Sequence, residues 1–225
     1  MKKVAVIGAG PSGITAIKNF IDEGFDVTAF ERCDGVGGNW RFNDPSGHSS
    51  VFETTHIISS KYTSFYEDYP LPDDASDYPS HKELLSYFDG YAEHFDIKKN
   101  IKFGTEVLSC KQLPNSRWLL KYKHLEGNDE ITLEFDALVV CNGHHHVPRY
   151  PQYKGEFSGE YIHSHDYKRA APFENKRVLV IGGGNSACDV AVETSRISQE
   201  TSLSWRRGYH LCLLYTSDAA DEPLC

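Results

Sequence analysis

The sequence predicts an α/β fold containing two strand–turn–helix–strand units. Three observations carry that reading. Val4-Ala5-Val6-Ile7 is a β-branched apolar run that ends on glycines, the pattern of a strand buried on both faces. A helical pattern follows at once, with Ile14, Ile17 and Ile21 on one stripe. The same succession returns later, where Val178–Ile181 runs into a second glycine cluster and another apolar helix.

The elements follow in order. The first helix is predicted over 12–23, with Gly24 as its stop. Val27–Phe30 is the next strand and completes a βαβ unit. Residues 41–79 are loop-rich, with Pro45, Pro70, Pro72 and Pro79. Ser80 and Glu83 form a capping box, and Leu84, Phe88, Tyr91 and Phe95 follow at helical spacing. Trp118–Lys123 and Ile131–Phe135 read as a hairpin around Glu126-Gly127-Asn128-Asp129. Ala137–Val140 is another buried strand. Pro148, Pro151 and Gly155 mark a linker. After the second glycine cluster a helix runs to about Arg196, and Thr201–Trp205 is the strand behind it. The predicted organisation is a first domain over 1–150, a linker over 151–171 and a second domain over 172–211.

Composition narrows the function classes. The 225 residues are 40% hydrophobic and 24% charged, which is ordinary globular usage. With 23 Lys and Arg against 32 Asp and Glu, the formal charge is −9, a poor match for a nucleic-acid phosphate backbone. No apolar run approaches the roughly 20 residues of a membrane span. The N-terminal Met-Lys-Lys precedes an apolar stretch, but Gly8, Gly10, Pro11 and Gly13 interrupt it and Lys18 charges it, so it reads as structure rather than a leader. The six cysteines include no C-x-x-C, as expected of small buried hydrophobes in a reducing compartment, and a cytoplasmic location is expected. The sequence carries no sign of an oligomeric state.

Gly8-Ala9-Gly10-Pro11-Ser12-Gly13 is a G-x-G-x-x-G turn between a strand and a helix. Gly8 permits the tight turn, Gly10 lets the backbone approach a pyrophosphate, and Gly13 lets helix and strand pack closely. The helix N-terminus offers N–H groups and a positive dipole end to phosphates. Glu31, at the end of the next strand, would accept hydrogen bonds from a ribose. Such a turn takes NAD or FAD. Just past Glu31-Arg32 comes Gly35-Val36-Gly37-Gly38-Asn39-Trp40, a second glycine cluster that resembles the FAD-binding flavoproteins with two dinucleotide domains. In those proteins this backbone runs close to the flavin, which points to Gly38, Asn39 and Trp40.

Gly182-Gly183-Gly184-Asn185-Ser186-Ala187 is G-x-G-x-x-A in the same context. Two such units predict a second dinucleotide. Twenty-one residues separate Gly10 from Glu31; the same step from Gly184 reaches Trp205, beside Arg206 and Arg207. A carboxylate there would repel a 2′-phosphate, whereas arginines bind one in a fork geometry. The second nucleotide is therefore expected to be NADP(H).

Over roughly residues 1–211 the sequence resembles the flavin-containing monooxygenases. Phe157-Ser158-Gly159-Glu160-Tyr161-Ile162-His163-Ser164-His165-Asp166-Tyr167 is similar to their identifying motif F-x-G-x-x-x-H-x-x-x-[YFW], placed just ahead of the second glycine cluster as in that family. The terminal Tyr167 favours these enzymes over the Baeyer–Villiger monooxygenases, which usually carry Trp there. Phe135–Gly143 resembles the family's return strand into the FAD domain, and Tyr66–Pro72 its loop near the flavin. The resemblance implies further cofactor contacts at Ser59, Val107 and Asp189, and a structural role for His163 beside the NADP domain.

The resemblance also implies the chemistry. NADPH reduces FAD, the reduced flavin takes O2 at C4a as a hydroperoxide, and an amine nitrogen or a sulfide of a small substrate takes the distal oxygen. The cofactor does the hard chemistry and the protein keeps the site dry, so no catalytic side chain is assigned. A Baeyer–Villiger or N-hydroxylating monooxygenase, or a non-catalytic nucleotide-binding protein, stands as the alternative. A disulfide reductase is excluded for want of a redox C-x-x-C. The sequence departs from the family in Ile57-Ile58-Ser59-Ser60-Lys61, where most members carry Asn at the position of Ile58.

Other features carry less. Consecutive His144-His145-His146 cannot easily aim three imidazoles at one ion, so no metal is expected. Tyr62, Phe65, Tyr66 and Tyr69 read either as a substrate pocket or as loop core. The string from Cys212 to Glu222 looks like the translation of a sequencing-library adaptor. Residues 212–225 are thus expected to be a non-native tail on an N-terminal fragment, with both domains incomplete and the fragment alone inactive.

Overall fold

The computed structural model describes residues 1–208, so the tail expected over 212–225 and the end of the second domain at 209–211 lie outside the described residues. The chain divides into two compact units, Met1–Lys168 and Arg169–Cys225.

The first unit opens with β1 (Lys3–Ile7), α1 (Pro11–Asp22) and β2 (Asp26–Phe30), then reaches α2 (His81–His94). There follow β3 (Ile101–Lys102), β4 (Thr105–Gln112), β5 (Trp118–His124), β6 (Glu130–Phe135) and β7 (Ala137–Val140). A parallel four-stranded sheet has the order β3-β2-β1-β7. A separate antiparallel sheet has the order β4-β5-β6.

Side chains alternate across β1, and each face is covered. Val4 and Val6 pack with Ile14 and Ile17 of α1 and with Leu84, Phe88 and Tyr91 of α2. Ala5 packs the other way, with Phe30 and with Leu120, Tyr122 and Phe135 of the antiparallel sheet. Burial on both faces is why β1 reads as an unbroken apolar run instead of an alternating one. Gly24 ends α1 as expected, with a φ of +78° and its amide on the carbonyl of Ile21.

The capping box at α2 is complete. Ser80 Oγ accepts the Glu83 amide, and the Glu83 carboxylate accepts the Ser80 amide at 2.8 Å. The hairpin expected over 118–135 is β5–β6, and β4 adds a third strand that the sequence reading did not contain. The loop aromatics divide between their two readings. Tyr66 and Tyr69 pack against Tyr87 and Tyr91 in the core, whereas Tyr62 and Phe65 are exposed.

In the second unit β8 (Arg177–Ile181), α3 (Asn185–Ser195) and β9 (Glu200–Ser204) form a βαβ unit whose strands pair in parallel. Thr194 of α3 is fully buried and donates its hydroxyl to the carbonyl of Val190. Leu179 and Ile181 point away from α3 and are exposed. No described helix is long and apolar enough to cross a membrane.

Candidate cofactor sites

The first glycine turn is built by close backbone approach. The Gly8 amide donates to the carbonyl of Phe30 at 2.8 Å, which ties the turn to the end of β2. Gly8 has a φ of +95°, and a Cβ there would lie 2.4 Å from the carbonyl oxygen of Cys141. A Cβ on Gly13 would lie 2.0 Å from the carbonyl oxygen of Gly8. Both positions therefore demand glycine. At Gly10 a Cβ would be in ordinary contact with Gly38 Cα at 3.6 Å, so there glycine lets the two glycine clusters approach closely without a clash being at stake.

Open backbone at the head of α1 is what a diphosphate requires. Gly10 is the N-cap and supplies no side-chain cap; Pro11, which has no N–H, is the first helical residue, and Ser12 is exposed beside it. The first N–H groups of a helix have no intrahelical partner. At α2 the capping box supplies partners; at α1 no side chain does.

Glu31 is 6% exposed and closes the turn from the other side. Its carboxylate accepts the Ala9 amide at 2.6 Å and the Cys33 amide at 2.8 Å. Each carboxylate oxygen keeps a further lone pair for a ribose hydroxyl. The neighbouring Cys33 thiol is pushed up to about 12 by burial, reinforced by the charge of Glu31 and by Asp44, and is held as an unreactive thiol.

The two glycine clusters meet. Gly37 donates its amide to the carbonyl of Ala9 at 3.0 Å, and Gly38, with a φ of +54°, lies directly on Gly10. Gly38–Trp40 is one turn of 3-10 helix. Asn39 is fixed by its neighbours. Its side-chain oxygen accepts the amide of Ser50 at 2.8 Å and the Ser50 hydroxyl at 2.9 Å, and its carbonyl accepts the hydroxyl of Ser49 at 2.6 Å. Tyr66 donates its hydroxyl to the carbonyl of Pro11 at 2.8 Å, so the loop expected near the flavin does reach the head of α1.

Ser59 lies in the loop just before Lys61–Thr63, and Val107 in β4, whose first residue, Thr105, donates its amide to the carbonyl of Glu31 at 2.8 Å. Ser59 is exposed and its hydroxyl bonds to that of Ser64 at 2.6 Å. Val107 lies in β4 opposite Tyr122, beside a register shift, and packs on the cluster around Phe30. Ile58 is 64% exposed, with no polar atom to offer.

The second glycine turn repeats the first. Gly182 donates its amide to the carbonyl of Ser204 at 2.9 Å, as Gly8 does to Phe30. Gly184 is an N-cap with no side-chain cap, and a Cβ on it would meet nothing within 4 Å. Asn185 and Ser186 are exposed in the first turn of α3, and Asp189 follows one turn on. Alanine stands at 187, the position that matches Gly13, and a Cβ on Gly182 would lie 3.4 Å from its methyl. Trp205, Arg206 and Arg207 are exposed just past β9, where Glu31 stands past β2.

The motif around His163 closes the first unit. His163 Nδ1 accepts the His165 amide at 3.0 Å, Tyr167 is buried against Phe52, and Asp166 takes Tyr150 Oη and His165 Nδ1. His48 and His146 stack with ring centroids 4.6 Å apart, and burial, then the charge of His146, holds His48 below its ordinary value. Among the described residues no three His, Cys, Asp or Glu side chains group as a metal site would require. The pairing of Asn39 with Ser49 and Ser50 was missed in the sequence, where two adjacent serines in a loop carry no signal.

The comparisons with known proteins agree with this geometry. The family description "Flavin-binding monooxygenase-like" matches residues 1–218. The rabbit (Oryctolagus cuniculus) protein named dimethylaniline monooxygenase [N-oxide-forming] 2 is 41% identical over 217 residues, covering 92% of this chain and 40% of its own length. The chain thus spans well under half of that curated relative. Among solved structures, S-allyl-L-cysteine S-oxygenase from Allium sativum superposes with a TM-score of 0.85 at 27% identity, over 96% of this chain and 54% of that one. Tmm from Pelagibacter sp. strain HTCC7211 gives 0.84 at 29% identity, over 92% and 51%. With an α/β fold, two glycine turns of the same build and a family match along nearly its whole length, the chain belongs to the flavin-binding monooxygenase-like family.

Proposed function

We propose that the chain holds FAD at its first glycine turn and NADPH at its second, in an O2-dependent monooxygenase that oxygenates an amine nitrogen or a sulfide sulfur of a small molecule. The single observation that carries this reading is the convergence of Gly8, Gly10, Gly13, Gly38 and Glu31 at the head of α1. That convergence leaves an uncapped helix N-terminus beside a buried carboxylate. The diphosphate would lie at the uncapped helix head beside Gly10, Ser12 and Gly13, with the ribose on Glu31. The Gly38–Trp40 turn lies where the flavin side of the nucleotide would pass.

When bound, FAD supplies the transfer of electrons from NADPH to O2 and of one oxygen atom to the nucleophile. The chain's own residues bind, orient and exclude water. Gly184, Asn185 and Ser186 present the uncapped head of α3 to the second diphosphate, and Arg206 and Arg207 present guanidinium groups to the 2′-phosphate. The soft-nucleophile substrate class rests on similarity to relatives named as N-oxide-forming and S-oxygenating enzymes.

The test is NADPH oxidation by a protein carrying this chain, read against a panel of tertiary amines, sulfides and ketones with product analysis. N-oxide or sulfoxide formed in step with NADPH and O2 consumption supports the reading. Ester formation from a ketone in place of either product would contradict it.

A further inference from the structure

The end of the first unit reaches back through one side chain onto the segment 49–53, which in turn fixes the second glycine cluster. Lys168 Nζ donates to the carbonyl of Ser49 at 2.7 Å, of His165 at 3.0 Å and of Val51 at 3.4 Å. Its own carbonyl accepts the Glu53 amide at 2.9 Å, so Lys168 grips the segment 49–53 at both ends. The neighbouring ring of Tyr167 packs edge-on to Phe52 at 5.4 Å. Burial lowers the ammonium's pKa while the charge of Asp166 opposes that shift.

Ser49 and Ser50 are the residues that fix Asn39. They take its carbonyl and its side-chain oxygen, and the backbone one residue earlier, at Gly38, lies on Gly10. A continuous run of bonds therefore leads from the family motif at its last residues to the face of the first glycine turn. We propose that Lys168 is a positioning residue: by gathering the carbonyls of Ser49, Val51 and His165, it holds Ser49 and Ser50 where they fix Asn39 against the first glycine turn. Its bearing on FAD rests on the function proposed above; the relay itself does not.

A cationic donor suits this task. Three carbonyls converge on one point, and an ammonium has three N–H donors to match them. Hydrogen bonds from charged donors are also about twice as strong as neutral ones.

The test compares Lys168→Met with the unaltered sequence, both in a full-length protein carrying this chain, by amide hydrogen exchange without flavin, then by FAD titration. Exchange at residues 37–40 and 49–51 should quicken at least about tenfold in Lys168→Met, as expected when hydrogen bonds from a charged group are lost. The α2 helix should be unchanged. FAD should bind about tenfold more weakly, by the same loss, with a shifted visible band. Phe52→Leu loosens the same junction by packing alone and should lower Tm without shifting the band. If Lys168→Met does not fold, Lys168→Gln, which keeps one donor amide, is read in its place. Unchanged exchange at 37–40 would overturn the relay. Failure of the unaltered full-length protein to bind FAD would overturn the proposed function instead, and exchange would still decide the relay.

Discussion

Gly182 donates its amide to the carbonyl of Ser204 at 2.9 Å, and that bond makes the residue after Ser204 the counterpart of Glu31. In the first unit Gly8 makes the same bond to Phe30, and the next residue is a buried carboxylate. In the second unit the next residues are Trp205, Arg206 and Arg207, all exposed. The two units thus share a backbone and differ in charge at the ribose position.

Coenzyme choice should follow that difference. Replacing Arg206 and Arg207 with Ala should weaken NADPH binding by about tenfold or more per arginine, from the loss of charge-assisted bonds to a phosphate. NADH binding should change little. Titration of both coenzymes against the double variant checks this, and an equal loss for both would refute it.

Two glycines of one turn should behave differently. A Cβ on Gly13 would meet a carbonyl oxygen at 2.0 Å, whereas one on Gly10 would sit 3.6 Å from its nearest neighbour. Gly13→Ala should cost about 3 kcal/mol of stability, the upper range for overpacking. Gly10→Ala should cost under about 1 kcal/mol, an N-cap effect, yet weaken FAD binding because the methyl would stand between the two glycine clusters at the helix head. Urea unfolding paired with FAD titration separates the two. Equal destabilisation would mean the cradle is misread.

Much of this was legible in the sequence, for physical reasons that differ by element. β1, α1 and β2 read clearly because burial on both faces enforces a β-branched run and close backbone approach enforces Gly8 and Gly13. The capping box of α2 is a local pattern and was equally plain. β4 was not seen, because the register shift between Val107 and Ser109 breaks its alternation and much of it is exposed. The grip of Lys168 on Ser49 spans 119 positions and ends on backbone carbonyls, which every sequence has. The step of 21 residues from Gly184 reached Trp205, the structural counterpart of Glu31, because both turns share the same bond to the following strand.

Acid should act on α2 through Glu83. Burial pushes its carboxyl up, but the amides of Ser76 and Ser80 and the Ser80 hydroxyl outweigh that and bring it to about 2. A carboxyl with a depressed folded pKa stabilises fully above its ordinary value near 4.5, and the contribution fades as pH falls toward 2. Glu83→Gln should therefore flatten the fall in stability between about pH 4.5 and 2. It should cost about 1 kcal/mol at neutral pH, the usual worth of a cap. Urea midpoints across that range check it; an unchanged acid slope would be the contrary result.

Ile58 bears on coupling. It is 64% exposed and offers no hydrogen bond at a position where the enzymes this sequence resembles usually carry Asn. A protein carrying this chain should release hydrogen peroxide during NADPH oxidation, and Ile58→Asn should lower the peroxide formed per NADPH consumed. Full coupling in the unaltered protein would show that another group fills the role.

The central claim is that the first glycine turn and Glu31 hold FAD, and direct titration of a full-length protein carrying this chain with FAD tests it. The carboxylate of Glu31 orders the amides of Ala9 and Cys33 and is proposed to take the ribose. Flavin fluorescence should fall to a one-to-one endpoint. Glu31→Gln, which exchanges one acceptor oxygen for a donor, should raise Kd by about tenfold or more, as expected for loss of a hydrogen bond to a charged group. Flavin that binds the unaltered full-length protein and Glu31→Gln with the same Kd, or that binds neither, would contradict the account.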